Sequence, residues 1–268
     1  MGSRPADSSA GAALPLSFAP FGFWWFAPLL MALLFLLVEG ESGRERALRG
    51  FWFGVGSFST GTYWLYISIH DFGGVAPPIA VALCGALILL MAVYLAAWGL
   101  LTGMVGRRQP AWQLLAVLPG SWVGVEWGRG WLFSGFPWLS LGYGQIDGPL
   151  AAWAPVAGVH GLSLVVVLCA GALALLLTGP NRARLAALAV LAVAGGTTAL
   201  LTGRDWTAPA GRWAVGAGRG TGAPRKACRP DRKFSRADPA HGRGWARGAC
   251  AHPHRPRHAG LGRQPAAG

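Results

Sequence analysis

Apolar stretches near the length needed to cross roughly 30 Å of hydrocarbon recur along this chain. They run Phe23 to Val38, Phe51 to Ile69, Ile79 to Leu101, Ala111 to Val125, Val156 to Leu177 and Leu185 to Leu201, with a shorter one, Ala10 to Ala19, ahead of them. The charges decide what surrounds such stretches. Residues 1–203 hold 9 Lys+Arg and 7 Asp+Glu, a net +2, among 203 residues. A soluble domain carries about 25% charged residues, so this region has too little polar surface to cover a globule in water. The predicted fold is an all-α polytopic membrane bundle of six to seven transmembrane helices.

Ala10 to Ala19 is too short to span by itself. The Pro20-Phe21-Gly22 turn favours a hairpin of two helices over one long helix broken at Pro20. Orientation follows from the arginines. Arg44, Arg46 and Arg49 fall in one predicted loop, Arg107 and Arg108 in the next but one, and Arg182 and Arg184 in the next but one again, whereas the intervening loops carry only Arg129. Every second loop is basic and is expected to face the cytoplasm. His70-Asp71, the segment from Glu126 to Tyr143 and everything after Leu201 then lie on the outer face, so that the C-terminal tail emerges in the periplasm.

The tail is a different material. Residues 204–268 hold 14 Lys+Arg and 3 Asp+Glu, which places nearly all of the chain's net charge of +13 there. Only Val215, Phe234 and Leu261 supply large aliphatic or phenyl side chains, too few to offset chain entropy, so the tail is expected to be disordered. Cys250, His252, His254 and His258 match no zinc-module spacing. The basic composition suits adhesion to anionic lipid, and the outer face offers no nucleic acid. The four cysteines, Cys84, Cys169, Cys228 and Cys250, are too scattered for a disulfide framework.

Polar groups beside aromatic clusters are the candidates for function. Glu126 and Arg129 stand three residues apart in Glu126-Trp127-Gly128-Arg129-Gly130-Trp131, a spacing that puts both on one helix face where they can pair. Charge at membrane depth is expensive and commonly functional. One reading is an interfacial pair that ends the helix within an aromatic belt; the other is a guanidinium that holds a phospholipid headgroup beside tryptophans. Tyr63, Trp64, His70 and Asp71 close the preceding aromatic-rich span and read as interfacial residues and a turn, with an acid/base pair as the sharper alternative. His160 reads as an interfacial polar residue. No metal site and no cofactor are expected.

These residues, taken in order, resemble a known family. Phe18-Ala19-Pro20-Phe21-Gly22, Tyr63-Trp64 through Ser68-Ile69-His70, Glu126-Trp127 with Arg129-Gly130, Gly135-Phe136-Pro137-Trp138, Leu141-Gly142-Tyr143, Gln145 and Gly161-Leu162-Ser163 are similar to the membrane domain of bacterial apolipoprotein N-acyltransferases. The resemblance runs from about Leu14 to Thr207. It implies a multi-pass enzyme of the bacterial inner membrane that moves an acyl chain from a phospholipid donor to the amino group of a lipoprotein's diacylglyceryl-cysteine. In that family the chemistry resides in a periplasmic nitrilase-like domain whose Glu-Lys-Cys triad forms a thioester, while the membrane helices admit lipid. By resemblance, Glu126, Arg129, Phe136, Pro137, Trp138 and Tyr143 are the candidates for lipid or substrate access, with Arg129 and Trp138 at the lipid-facing mouth.

After Asp205-Trp206-Thr207 the resemblance stops. Of the 65 residues from 204 onward, 44 are Gly, Ala, Pro or Arg, and none is Glu. Lys226, Lys233, Cys228 and Cys250 stand in no matching context, so no catalytic residue is assigned. Gly, Ala, Pro and Arg are the residues of GGN, GCN, CCN and CGN codons, which out-of-frame reading of GC-rich DNA yields. The domain boundary is therefore drawn between residues 203 and 204. The expectation is a membrane domain followed by the out-of-frame remnant of a catalytic domain, with a frameshift just after Gly211 and no acyl transfer by this polypeptide. The alternative, from another class, is a non-catalytic membrane scaffold or lipid-interacting protein.

Overall fold

The computed structural model describes residues 4–105, 109–204 and 206. The chain divides into two units at Pro209 and Ala210. The second unit, with Lys226, Cys228, Lys233, Cys250, His252, His254 and His258, lies outside the described residues, as do Arg107 and Arg108.

Every regular element among the described residues is helical, in keeping with the all-α membrane bundle. The longer helices are α1 (Arg4–Ala13), α2 (Phe26–Val38), α3 (Gly43–Gly61), α5 (Pro77–Met104), α7 (Leu118–Arg129), α8 (Ala154–Thr178) and α9 (Asn181–Leu201). Two short pieces, α4 (Trp64–Ile67) and α6 (Pro110–Trp112), run into π-helical turns at Ser68–Phe72 and Gln113–Val117. Among the described residues, three helices are long and apolar enough to cross a membrane: α5, α8 with its lead-in from Pro149, and α9. The remaining expected spans are helices of another kind. α2 has 13 residues, about 20 Å at 1.5 Å per residue, and α3 carries four charged side chains in its first two turns. The expected N-terminal hairpin is present: α1 and a short 3₁₀ turn at Leu14–Ser17 lead into a reversal in which the Phe21 and Gly22 amides donate to the Phe18 carbonyl before α2 begins.

One expectation needs correction. The charge pattern puts Arg44, Arg46 and Arg49 in a loop ahead of a span from Phe51 to Ile69, but the helix starts at Gly43 and ends at Gly61. Ser42 caps it, its hydroxyl accepting the Glu45 amide at 3.3 Å, a Ser-x-x-Glu start. The arginines enter the helix because acceptors await them there. Arg46 is buried; its Nε donates to the Glu41 carbonyl at 3.1 Å, and its Nη1 reaches the Thr102 carbonyl and Gln113 Oε1 at 3.3 Å each. Arg49 bridges Asp7 at 3.4 Å and Glu41 at 3.0 Å. Arg182 and Arg184 likewise occupy the first turn of α9.

Small residues set how closely the helices approach. A methyl group on Gly50 would strike the Leu95 carbonyl, and one on Gly99 the Arg46 carbonyl, so α3 and α5 meet backbone to backbone. Such contacts replace the hydrophobic driving force that lipid surroundings cannot supply. Aromatic rings fill the centre: Phe35 of α2 stacks on Trp98 of α5 at 6.0 Å, and Trp122 of α7 meets Trp98 and Phe53 edge-on at 5.3 and 6.4 Å. Thr178 at the end of α8 donates to Glu39 after α2 at 3.2 Å, which puts the α2–α3 and α8–α9 connections at one end of the bundle. The loop after α7 lies at the other.

Candidate functional site

α7 carries Glu126 and Arg129 on its last turn, and both are buried, at 3% and 5% exposure. The spacing predicts a pair. Among the described residues no ion pair joins them; each grips the loop that follows. Glu126 Oε1 accepts the Leu141 amide at 2.8 Å. Arg129 Nη2 donates to the Ser140 hydroxyl at 3.5 Å, and its guanidinium lies 5.1 Å over the Phe58 ring. The Leu141 amide would otherwise be left without a partner in a dry interior, which favours its bond to Glu126.

The loop returns to α7 through backbone that few residues adopt. Phe133, Ser134 and Leu139 have positive φ, and Gly135 has φ 76° with the Gly130 carbonyl where a Cβ would stand. This reversal lets the Phe136 amide donate to the Arg129 carbonyl at 2.8 Å. The Ser140 hydroxyl donates to the Pro137 carbonyl at 2.8 Å. From α8, Ser163 Oγ accepts the Gly142 amide at 2.9 Å. α8 is interrupted five residues earlier at Gly158, whose φ of 63° a glycine adopts without a Cβ penalty. Gln145, fully buried, donates from Nε2 to the Trp24 carbonyl at 3.0 Å. Four buried side chains thus hold the segment 136–145, and Trp138 and Tyr143 stand out from it at 49% and 54% exposure.

The two predicted sets of residues meet at one point. Trp138 stacks on Phe136 at 5.8 Å and leans on Trp64 at 5.3 Å, while Phe136 reaches Phe58 at 6.4 Å. An aromatic row therefore leads from beneath Arg129 to the exposed Trp138. Tyr63 is exposed. His70 stays within its own π-helical turn, Nδ1 donating to the Val75 carbonyl at 2.8 Å and Nε2 lying 3.8 Å from Asp71. The first bond makes His70 the brace of the turn that starts α5.

Arg129, expected at a lipid-facing mouth, is instead enclosed under the loop that carries Trp138. Sequence reasoning did not single out Ser140, Ser163 and Gln145 as functional, although the latter two lie in the matched segments. Their signal is a lone polar residue in an apolar or Gly-rich run. Nor did it connect His160 with Glu126, whose Oε2 lies 4.0 Å from His160 Nδ1. No group of three or more His, Cys, Asp or Glu suited to a metal ion occurs among the described residues.

Comparison with known proteins adds the family. Residues 10–172 match the apolipoprotein N-acyltransferase N-terminal domain. An apolipoprotein N-acyltransferase of Photobacterium profundum is 44% identical over 164 residues, 61% of this chain and 32% of the relative. One of Azotobacter vinelandii is 41% identical over 210 residues, 76% of this chain and 40% of the relative, and one of Methylococcus capsulatus is 40% identical over 205 residues with the same coverage. The chain spans from 32% to 40% of the length of these relatives. Through a match covering more than half of its residues, including the whole buried clasp between α7, the following loop and Ser163, this chain belongs to the apolipoprotein N-acyltransferase N-terminal domain family.

Proposed function

We propose that the described helices form the lipid-admitting membrane domain of a lipoprotein-acylating enzyme, with Trp138 and Tyr143 at the rim through which an acyl donor is handled. The observation that carries this reading is the clasp: buried Glu126, Arg129 and Ser163 hold one uncharged loop so that two large aromatic side chains stay exposed on a fixed base. Phe136 and Pro137 shape the base, and Glu126 and Arg129 act through the loop rather than by touching lipid. Tyr63, Trp64, His70 and Asp71 belong to the interfacial belt beside it. The substrates under this reading are a phospholipid acyl donor and a diacylglyceryl lipoprotein, as the family's name and the resemblance suggest, in a bacterial inner membrane. The arginine-bearing end of the bundle faces the cytoplasm, and Glu126, the aromatic loop and the residues after Leu201 face the periplasm.

Acyl transfer itself is not assigned to these helices. Residues 204–268 hold no Glu, and their Lys and Cys sit among Gly, Ala, Pro and Arg, which supports a chain that is catalytically silent and a tail read out of frame. Complementation in cells depleted of the acyltransferase tests this: no rescue is expected, and rescue by this chain overturns it. The gene's nucleotide sequence tests the frame, since alternative frames without nitrilase-like strands and without Glu, Lys and Cys would end that part of the proposal. A non-catalytic lipid-interacting scaffold is the second reading, favoured by the same tail composition. Co-purified phospholipid that is lost on Trp138→Ala supports lipid handling in either case.

A further inference from the structure

Seven buried side-chain nitrogen or oxygen atoms lack a hydrogen-bond partner among the described residues, and they are not spread evenly. Five surround the end of α7: Tyr94 Oη, Trp122 Nε1, Glu126 Oε2, Arg129 Nε and His160 Nδ1. Tyr94 and His160 lie within electrostatic reach of Arg129 and Glu126, respectively. Three of the five side chains, Trp122, Glu126 and Arg129, also line one small cavity with Leu95, Trp98 and Val125. Leaving such groups unpaired in a dry interior is expensive, so a partner is expected there.

The cavity's size decides what that partner is. Its volume is about 10 Å³, close to the ~10–15 Å³ that admits one water. A phosphate, an ammonium headgroup or a glycerol hydroxyl with its attached carbons is larger than this, so the space between Glu126 and Arg129 suits a water better than a lipid headgroup. The polarity fits as well: Trp122 Nε1 and Arg129 Nε each offer an N–H, and Glu126 Oε2 offers an acceptor. A water accepts the first two and donates to the third, reaching the two to four partners that buried waters have.

We propose that one ordered water is a built component of this site, joining Trp122, Glu126 and Arg129 and taking the place of the direct ion pair their spacing predicts. It carries the Glu126 carboxylate's second oxygen while the first holds the Leu141 amide, and so lets Glu126 serve α7 and the loop together. The proposal concerns the interior of the clasp and stands whether or not the rim above it handles lipid; failed complementation leaves it untouched.

A crystal structure of the full chain grown from a lipidic mesophase, resolved finely enough to place ordered waters, tests it. The expected result is an isolated density peak about 2.7–3.2 Å from Trp122 Nε1, Glu126 Oε2 and Arg129 Nε. Well-ordered side chains with no peak between them overturn the proposal, as does a direct Arg129 Nε to Glu126 Oε2 bond with the cavity closed, or density continuous with a lipid. Trp122→Phe keeps the ring contacts with Trp98 and Phe53 and removes one donor; loss of the peak or its displacement from ring 122 is expected, and an unchanged peak overturns Trp122's part in it. The unsubstituted protein's map is decisive if that variant does not fold.

Discussion

The two ends of this bundle bury charge in opposite ways. At one end Asp7, Glu41, Arg46, Arg49, Thr102 and Gln113 bond to one another through side chains and carbonyls contributed by α1, the α2–α3 connection, α3, α5 and the π-helical turn after α6, with Arg49 Nε the one buried side-chain atom among them that lacks a partner. At the other, Glu126 and Arg129 each bond to the following loop, and buried polar atoms without a protein partner gather around them. The first arrangement ties helices together. The second gives up internal pairing to fix a strained, aromatic, uncharged loop. Local strain and incompletely paired polar groups are pointers to function rather than to folding, and the contrast makes the α7 end the candidate site.

Substitutions at the two ends are expected to have different signatures. The largest effect is expected for Arg49→Ala, which leaves buried Asp7 without its cation and costs about 3 kcal/mol by thermal unfolding in detergent. Hydrogen exchange of the Leu141 and Gly142 amides should change only in step with global stability. Loop-selective exchange in that variant would break the comparison.

Ser163→Ala comes next, expected to cost about 1–3 kcal/mol by orphaning the Gly142 amide, with exchange in residues 139–145 accelerated about tenfold or more per 1.4 kcal/mol of local opening. Glu126→Gln keeps the acceptor for Leu141 and removes the charge; about 1–2 kcal/mol is expected, within the range for hydrogen bonds to a charged group, again with the loop amides most affected. Equal protection of the loop in both variants would show that it does not depend on the clasp. Trp64→Leu is the smallest, about 0.5–1.5 kcal/mol for a lost aromatic pair, and is expected to raise the accessibility of Trp138 without loosening the loop amides.

Much of this is legible in the residues alone, and the reasons are particular. The apolar stretches at Ile79 to Leu101, Val156 to Leu177 and Leu185 to Leu201 need only length and hydropathy, and α5, α8 and α9 contain them. The ordered aromatic and glycine segments are enough to point to the family that residues 10–172 match. The arginines of α3 mislead, because clusters of charge usually mark loops, and nothing local announces that Thr102 and Gln113, far along the chain, supply acceptors. Glu126 and Arg129 mislead in the same way: their spacing is right for a pair, and the competing partners arrive from Ser140 and Leu141.

Hydropathy and charge act residue by residue and need no neighbours to be counted, so the amino acids alone mark a helical membrane domain with a compositionally separate tail. Which side chain each buried charge meets is settled by packing, because a polar group in a low-dielectric interior takes whichever partner the fold brings within reach. That choice encloses Arg129, exposes Trp138, and turns an expected ion pair into the support of a loop.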